Sequence, residues 1–471
     1  MKKIVYELNE VPKKLFDFYA DMFPDSAFAK LKFNSSLFET FTADAGHLSP
    51  WISWPTMHRG ISNIEHEISD LGQDLTQVNK EFPSIFNYLV NNDVRVGVFG
   101  SLQSYPLPEN LENYTFYIPD TFAAGSECFP KQLTDFQAFN LSMVRSSGRN
   151  VTQGIAVKEA GKFLFNARKL GLSWSTVGKL SKQIIQERFN KDRVVRRRTS
   201  QVEIAFDLYF KQLVETKPDI SFFFTNHVAS SMHRYWPAVF PNDYSEGKFD
   251  ENWRKRWKSE IPHAVKVANF QLNKLLQFCD KFDFELIVCS SMGQDAVEDV
   301  TPISKQVLIT NVRSLLRYLN VPDKDWEPRL SMAPRVVIRI LSGANLPNLA
   351  NLDKILVNGK RINHYKTSSG DIRFDIHLTD IDELYVEDSG KKISPKEIGI
   401  ENINLQDASG SYAYHIPQGI MLYYKPDKAK AGKRFGEWKA VSVLDFCPSL
   451  ISNFGGQVPN YMKGDRTLFQ N

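Results

Sequence analysis

The richest run of chemically capable side chains lies between Asp44 and Asp74, DAGHLSPWISWPTMHRGISNIEHEISDLGQD. It holds His47, His58 and His66, two tryptophans including Trp54, the hydroxyls of Ser53 and Thr56, and Arg59. A helix is expected to open near Pro55. Backbone N–H groups and the helix dipole at such a start favour an anion such as a phosphate. A hydroxyl there serves either as a nucleophile or simply as an N-cap. A second run is TNHVASSMHRYW, from Thr225 to Trp236, in which His227 and His233 lie six residues apart beside Asn226 and Arg234. Two imidazoles in one short segment suit a divalent metal. His415, in HIPQG, is a third isolated candidate. The basic residues Lys191, Arg193, Arg196, Arg197 and Arg198 fit a solvated helix face better than an anion site.

These residues are positioned by a recognisable pattern of elements. Ile4–Leu8, Val94–Gly100, Asp219–Asn226 and Phe284–Ser291 are short, unalternated apolar runs. The last three follow helix-like stretches, FPSIFNYLVNND, QVEIAFDLYFKQLVE and VANFQLNKLLQFCDKF. Helix-then-strand units with apolar strands predict an α/β fold: a largely parallel central sheet sandwiched by helices. Ligands in such sheets gather at the carboxyl ends of the strands. Those ends carry Glu7 and Asn9, Gly100 and Ser101, Asn226 and His227, and Ser291 and Met292. Two regions break the pattern. Residues 105–215 read as a polar, basic, helical insert. Residues 331–409 read as a small β-rich insert, with PRVVIRIL, DKILVNG, DIRFDIHL and DELYVED separated by turn residues. The core is then 1–104, 216–330 and 410–471.

Composition narrows the partners. The chain has 471 residues, with 58 Lys+Arg against 54 Asp+Glu, so the net charge is +4. That near-neutral balance excludes a dedicated nucleic-acid binder. Hydrophobic residues at 42% and aromatic residues at 13% are enough for a large core and exclude global disorder. No apolar run reaches the ~18–20 residues of a membrane span. MKKIVYELNEV lacks the apolar stretch of a secretory signal. The four cysteines, Cys128, Cys279, Cys289 and Cys447, make no metal or disulfide spacing and are expected to be reduced. A cytoplasmic protein is expected, with peripheral membrane association left open.

The order of these pieces resembles the alkaline phosphatase superfamily, in particular its type I phosphodiesterase/nucleotide pyrophosphatase and sulfatase-like branch. Ser53-Trp54-Pro55 stands where that family has its nucleophile, and EHEISDL follows where relatives commonly read His-Gly-Ile. TNHVASSMHRYW stands at its Asp…His motif, CSSMGQ at Ser-Asp-His-Gly and HIPQG at the late histidine. VLDFCPSLISNFGGQVPNYMKGD resembles its terminal signature. The departures are specific. Asn9, flanked by Glu7 and Glu10, stands at the first aspartate, Asn226 at the second, and Ser291 and Met292 at the Asp-His pair.

The resemblance implies a metal-dependent hydrolase or phosphoryl-group transferase acting on phosphate esters or diesters, including a phosphorylated glycan or nucleotide-type substrate. Ser53 or Thr56 would be the nucleophile. Glu7, Asn9, Asn226, His227, His233, Ser291 and His415 would be the metal-site positions. Trp54, His58, Arg59 and Arg234 would meet an anionic small-molecule or glycan substrate. Two hard cations need carboxylates to offset their charge, so the full two-zinc site is not expected. One zinc or manganese ion on His233 and His415 with Glu7 or His227, new carboxylates such as Asp44 or Asp295, or no metal at all are the options. A catalytically inactive relative that binds an anionic ligand or partner, and a sulfoester hydrolase, are the alternative readings.

Overall fold

Burial explains the strands. The computed structural model describes residues 2–147, 163, 166–298, 303–329, 331, 335–341, 347–366, 370–405, 411–426 and 437–470. Eight strands form the central sheet: β1 (Lys2–Leu8), β2 (Ser35–Phe41), β3 (Val96–Phe99), β4 (Phe116–Ile118), β5 (Ile220–Thr225), β6 (Phe284–Cys289), β7 (Gln418–Tyr424) and β8 (Trp438–Ser442). Their order is β8-β2-β7-β6-β1-β5-β3-β4. Only β7 runs antiparallel to its neighbours. The expected helices form at Ile85–Val90, Arg197–Thr216 and Glu260–Phe282.

In β1, Ile4, Tyr6 and Leu8 join one buried apolar layer and Val5 joins the layer on the opposite face. Side chains alternate along a strand. The second layer also contains Trp54 and Met57 of the Pro50–Arg59 helix. An α/β sandwich with a mostly parallel sheet is therefore the architecture, as the apolar runs predict.

The small β-rich unit builds its own core, from Val307 and Trp326 through Ile338 and Phe374 to Ile400. That core reaches upstream of residue 331. Strands form at Val336–Ile340, Ile355–Val357, Ile372–Asp375 and Val386–Asp388 within two four-stranded sheets. Part of the expected helical insert, residues 148–162 with 164 and 165, lies outside the described residues. The basic run is not an open anion site. Arg193 and Arg196 both grip the buried Glu260, at 2.5 and 2.7 Å, and Arg197 pairs with Glu187 at 2.8 Å. All four cysteines are buried free thiols.

Candidate functional site

The strands deliver their ends to one rim. β1 finishes at Leu8, and the chain turns through Asn9 to Glu10, whose φ of 57° is left-handed. Such a conformation in a non-glycine residue is uncommon and concentrates at functional sites. Glu10 is buried, and its Oε2 lies 3.0 Å from His233 Nε2 and 3.4 Å from His415 Nε2. The histidines come from elsewhere in the chain: His233 from the His227–Val239 helix that follows β5, and His415 from the strand Ala413–Ile416. That strand pairs with Gly293–Ala296, which sets His415 directly opposite Gln294. The Gln294 amide in turn donates to Glu10 Oε2, while Asn9 Nδ2 donates to Glu10 Oε1 at 2.8 Å.

Both imidazoles have a fixed tautomer. His233 Nδ1 lies 2.7 Å from the Ala413 carbonyl, and His415 Nδ1 lies 2.8 Å from the Leu48 carbonyl. A carbonyl only accepts, so each Nδ1 carries a proton and each neutral ring directs its Nε2 lone pair at Glu10. Two lone pairs and a carboxylate facing one another require a proton or a cation between them. Without a cation, burial works against charge on His415, but Glu10 outweighs it and raises the imidazole. Burial likewise opposes charge on Glu10, yet His415 and His233 hold its carboxyl well below the usual range.

The donor set fits one divalent transition metal ion. The three ligand atoms lie within 4.8 Å of one another, the only such cluster among the described residues. Donors around a tetrahedral ion with ~2.05 Å bonds sit roughly 3.3 Å apart. The backbone carbonyls behind the two rings are the usual outer partners of ligating histidines.

The remaining positions do not join this trio, and among them Asn9 alone bonds to it directly. Asn9 is the hub: Trp54 Nε1 donates to its Oδ1 at 2.7 Å, and its Nδ2 also donates to Asn226 Oδ1 at 2.8 Å. Ser53 and Ser291 share a hydrogen bond of 2.8 Å between buried hydroxyls. Glu7 lies inside β1 and points into the layer below. It accepts from His58 Nε2 and Ser101 Oγ, both at 2.7 Å, so its carboxylate is already engaged away from the trio. His227 is also engaged at both nitrogens. Nε2 donates to the Ala264 carbonyl at 3.0 Å, and Nδ1 meets Thr225 Oγ1. Burial pushes its imidazole down to about 3. Met292 is buried and brings no nitrogen or oxygen donor on its side chain.

The expected helix start needs correction. The helix begins at Pro50 behind Ser49, five residues before Pro55, which lies inside it. The Ser53 amide already bonds the Ser49 carbonyl at 2.9 Å, so Ser53 is not at an N-terminal anion site. Thr56 belongs to a separate network. Its Oγ1 lies 2.7 Å from Asp44 Oδ1 and 2.9 Å from His66 Nε2. Arg59 is buried, bonds Asn79 at 2.6 Å and leaves Nε without a partner. Arg234 folds back onto Ser230 of its own helix. Asp295 is half exposed and lies 3.7 Å from Lys14.

Glu10 is therefore the member of this three-residue cluster that the sequence pattern left unassigned. The available signal was its position two residues beyond the last paired residue of a rim-forming strand, where Glu7 lies inside the ladder. His47 stands nearby; burial, then the charges of His415 and Arg335, lowers its imidazole.

No family model and no curated protein matches the chain. Among solved structures, murine ectonucleotide pyrophosphatase/phosphodiesterase 5 aligns over 98% of this chain and 96% of its own at 12% identity, with a TM-score of 0.40. The human protein of the same name aligns over the same shares at 10% identity and a TM-score of 0.39. Phosphonoacetate hydrolase from Sinorhizobium meliloti 1021 aligns over 92% of this chain and 96% of its own at 12% identity, with a TM-score of 0.36.

Proposed function

We propose that this protein is a hydrolase or phosphoryl-group transferase of phosphate esters, dependent on a single divalent ion, zinc or manganese, held by Glu10, His233 and His415. The observation that supports this reading is the convergence of one carboxylate and two imidazoles whose Nδ1 protons are committed to backbone carbonyls. Bound there, such an ion supplies Lewis acidity toward a phosphoryl oxygen and lowers the pKa of a coordinated hydroxyl or water.

The rest of the rim is neutral. Asn9, Asn226 and Ser291 stand where further carboxylates would be needed to offset a second ion. Their amide and hydroxyl groups suit the equatorial oxygens of a phosphoryl group. Ser291 orients the Ser53 hydroxyl. Ser53 Oγ then forms the new bond to phosphorus while its proton passes to the departing ester oxygen, which leaves as the alcohol, and water or an acceptor hydroxyl takes the phosphoryl group and returns a proton to Ser53.

The neutral rim also favours a second reading, an anion-binding protein without turnover. One experiment separates the two. Metal content is measured on purified wild type, His233→Ala and His415→Ala. Turnover of bis-p-nitrophenyl phosphate and p-nitrophenyl sulfate is measured on wild type and Ser53→Ala. Stoichiometric metal lost in both histidine variants, with phosphodiester turnover lost in Ser53→Ala, is the expected result. Metal without turnover establishes the binder, turnover of the sulfate alone a sulfatase. Absence of metal overturns the site.

A further inference from the structure

The Trp174–Phe189 helix is firmly docked on one side and bare on the other. Its inner side buries Thr176 and Gln183. Ser173 N donates to Asp207 at 2.9 Å, Lys179 pairs with Glu203 at 2.8 Å, and Glu187 turns inward to Arg197 at 2.8 Å. Its outer side carries large apolar groups in water. Trp174 is 70% exposed, Ile184 55%, Ile185 57% and Phe189 88%. Trp174, Gly178, Ser181, Ile185 and Phe189 follow at steps of four, three, four and four, which places them along one line of a helix.

Charge identifies what this line fits. From Arg168 to Lys191 the sequence has six cations, Arg168, Lys169, Lys179, Lys182, Arg188 and Lys191, against the single acid Glu187. Glu187 and Lys179 face the body of the protein. The outer side is left with exposed Lys182, Arg188 and Lys191 around the apolar line. A helix with Trp, Ile and Phe flanked by Lys and Arg matches the boundary between anionic headgroups and acyl chains. A second copy of the same face would bring like charges together, so self-association is disfavoured.

We propose that this helix binds the surface of an anionic phospholipid membrane, with Trp174, Ile185 and Phe189 entering the interface and Lys182, Arg188 and Lys191 engaging headgroup phosphates. The inference is independent of the reading of the Glu10 site. It also has an orientation. The Arg197–Thr216 helix runs antiparallel to β5, with Phe206 against Phe223 and Tyr209 bonding Ser221. Arg197, and with it the Phe189 end, therefore lies toward the end of the sheet that carries the site.

Vesicle flotation tests this with the full chain, using phosphatidylcholine alone and an equimolar mixture with phosphatidylglycerol. Wild type is expected to float with the anionic vesicles only, and to be released as salt rises from ~0.1 to ~0.5 M. The double variants Ile185→Ser/Phe189→Ser and Lys182→Glu/Arg188→Glu are each expected to lower the bound fraction ~tenfold with unchanged thermal melts. Failure of wild type to float overturns the proposal, as does equal flotation of both variants. A wild-type dimer that the serine variant dissociates in sedimentation velocity also overturns it, because a second copy then covers the face.

Discussion

Glu10 accepts from Gln294 and Asn9 and faces two imidazoles, so the chemistry of its replacement decides the outcome. Glu10→Gln keeps a hydrogen-bonding group between the rings but removes the charge. It is expected to melt close to metal-free wild type and to lose the rise in Tm that excess zinc gives wild type through preferential binding to the folded state. Glu10→Ala strands two buried donors and is expected to cost ~1–3 kcal/mol even without metal. Melts with and without zinc, read beside metal content, check both. The sequence pointed to the carboxyl end of β1 and to His233 and His415, and these two imidazoles do meet the chain there. It put Glu7, not Glu10, beside them. Alternation predicts which way a strand residue points, but not the residue at which pairing stops and the chain turns through a positive φ. His227 misled for a related reason: nothing in its spacing reveals that Thr225 and Ala264 occupy both ring nitrogens.

The Pro50–Arg59 helix carries two hydroxyls in different states. Thr56 is flanked by Asp44 and His66, a combination that resembles an activated nucleophile. The polarity is opposite. His66 Nδ1 accepts the Ile68 amide at 3.0 Å, so the proton of the neutral ring is on Nε2 and is donated to Thr56. His66 therefore has no lone pair to take the threonine proton. Thr56→Val is expected to lower stability by ~1–2 kcal/mol, because Asp44 and His66 lose their partner, and to leave turnover nearly unchanged. Ser53→Ala is expected to do the reverse. Denaturant unfolding and phosphodiester turnover on both variants distinguish the two hydroxyls. The helix itself was legible only in part. Pro55 looked like a start, since proline suits a first turn. Here Pro50 holds that place, and the Trp51 carbonyl, which Pro55 cannot bond, receives Gln103 Nε2 at 3.4 Å.

For the molecule as a whole, the buried apolar strands announced the sheet, but three of its members were harder to read. β2, SSLFETF, is half polar because it lies near the sheet's margin. β4 has only three residues. β8 is largely solvent-facing, and its Lys439 and Ala440 are exposed. Burial on this scale also traps ionisable groups, which gives the fold a pH dependence. Burial, and after it the charge of Arg59, lowers His66 from 6.5 to about 3, and burial lowers His227 from 6.5 to about 3. Each stays neutral in the fold and takes up a proton only on unfolding. Unfolding therefore becomes easier as pH falls below 6.5, by ~1.4 kcal/mol per pH unit for each histidine, until the folded groups titrate near 3. Above pH 6.5 the two add no slope. Urea unfolding at steps between pH 7.5 and pH 5 is expected to show a plateau followed by a steep decline. His66→Asn keeps an acceptor for the Ile68 amide but cannot be protonated. It is expected to remove one histidine's share of the decline below pH 6.5 whatever it does to stability on the plateau. An unchanged slope in that variant would show that His66 is not held neutral by the fold.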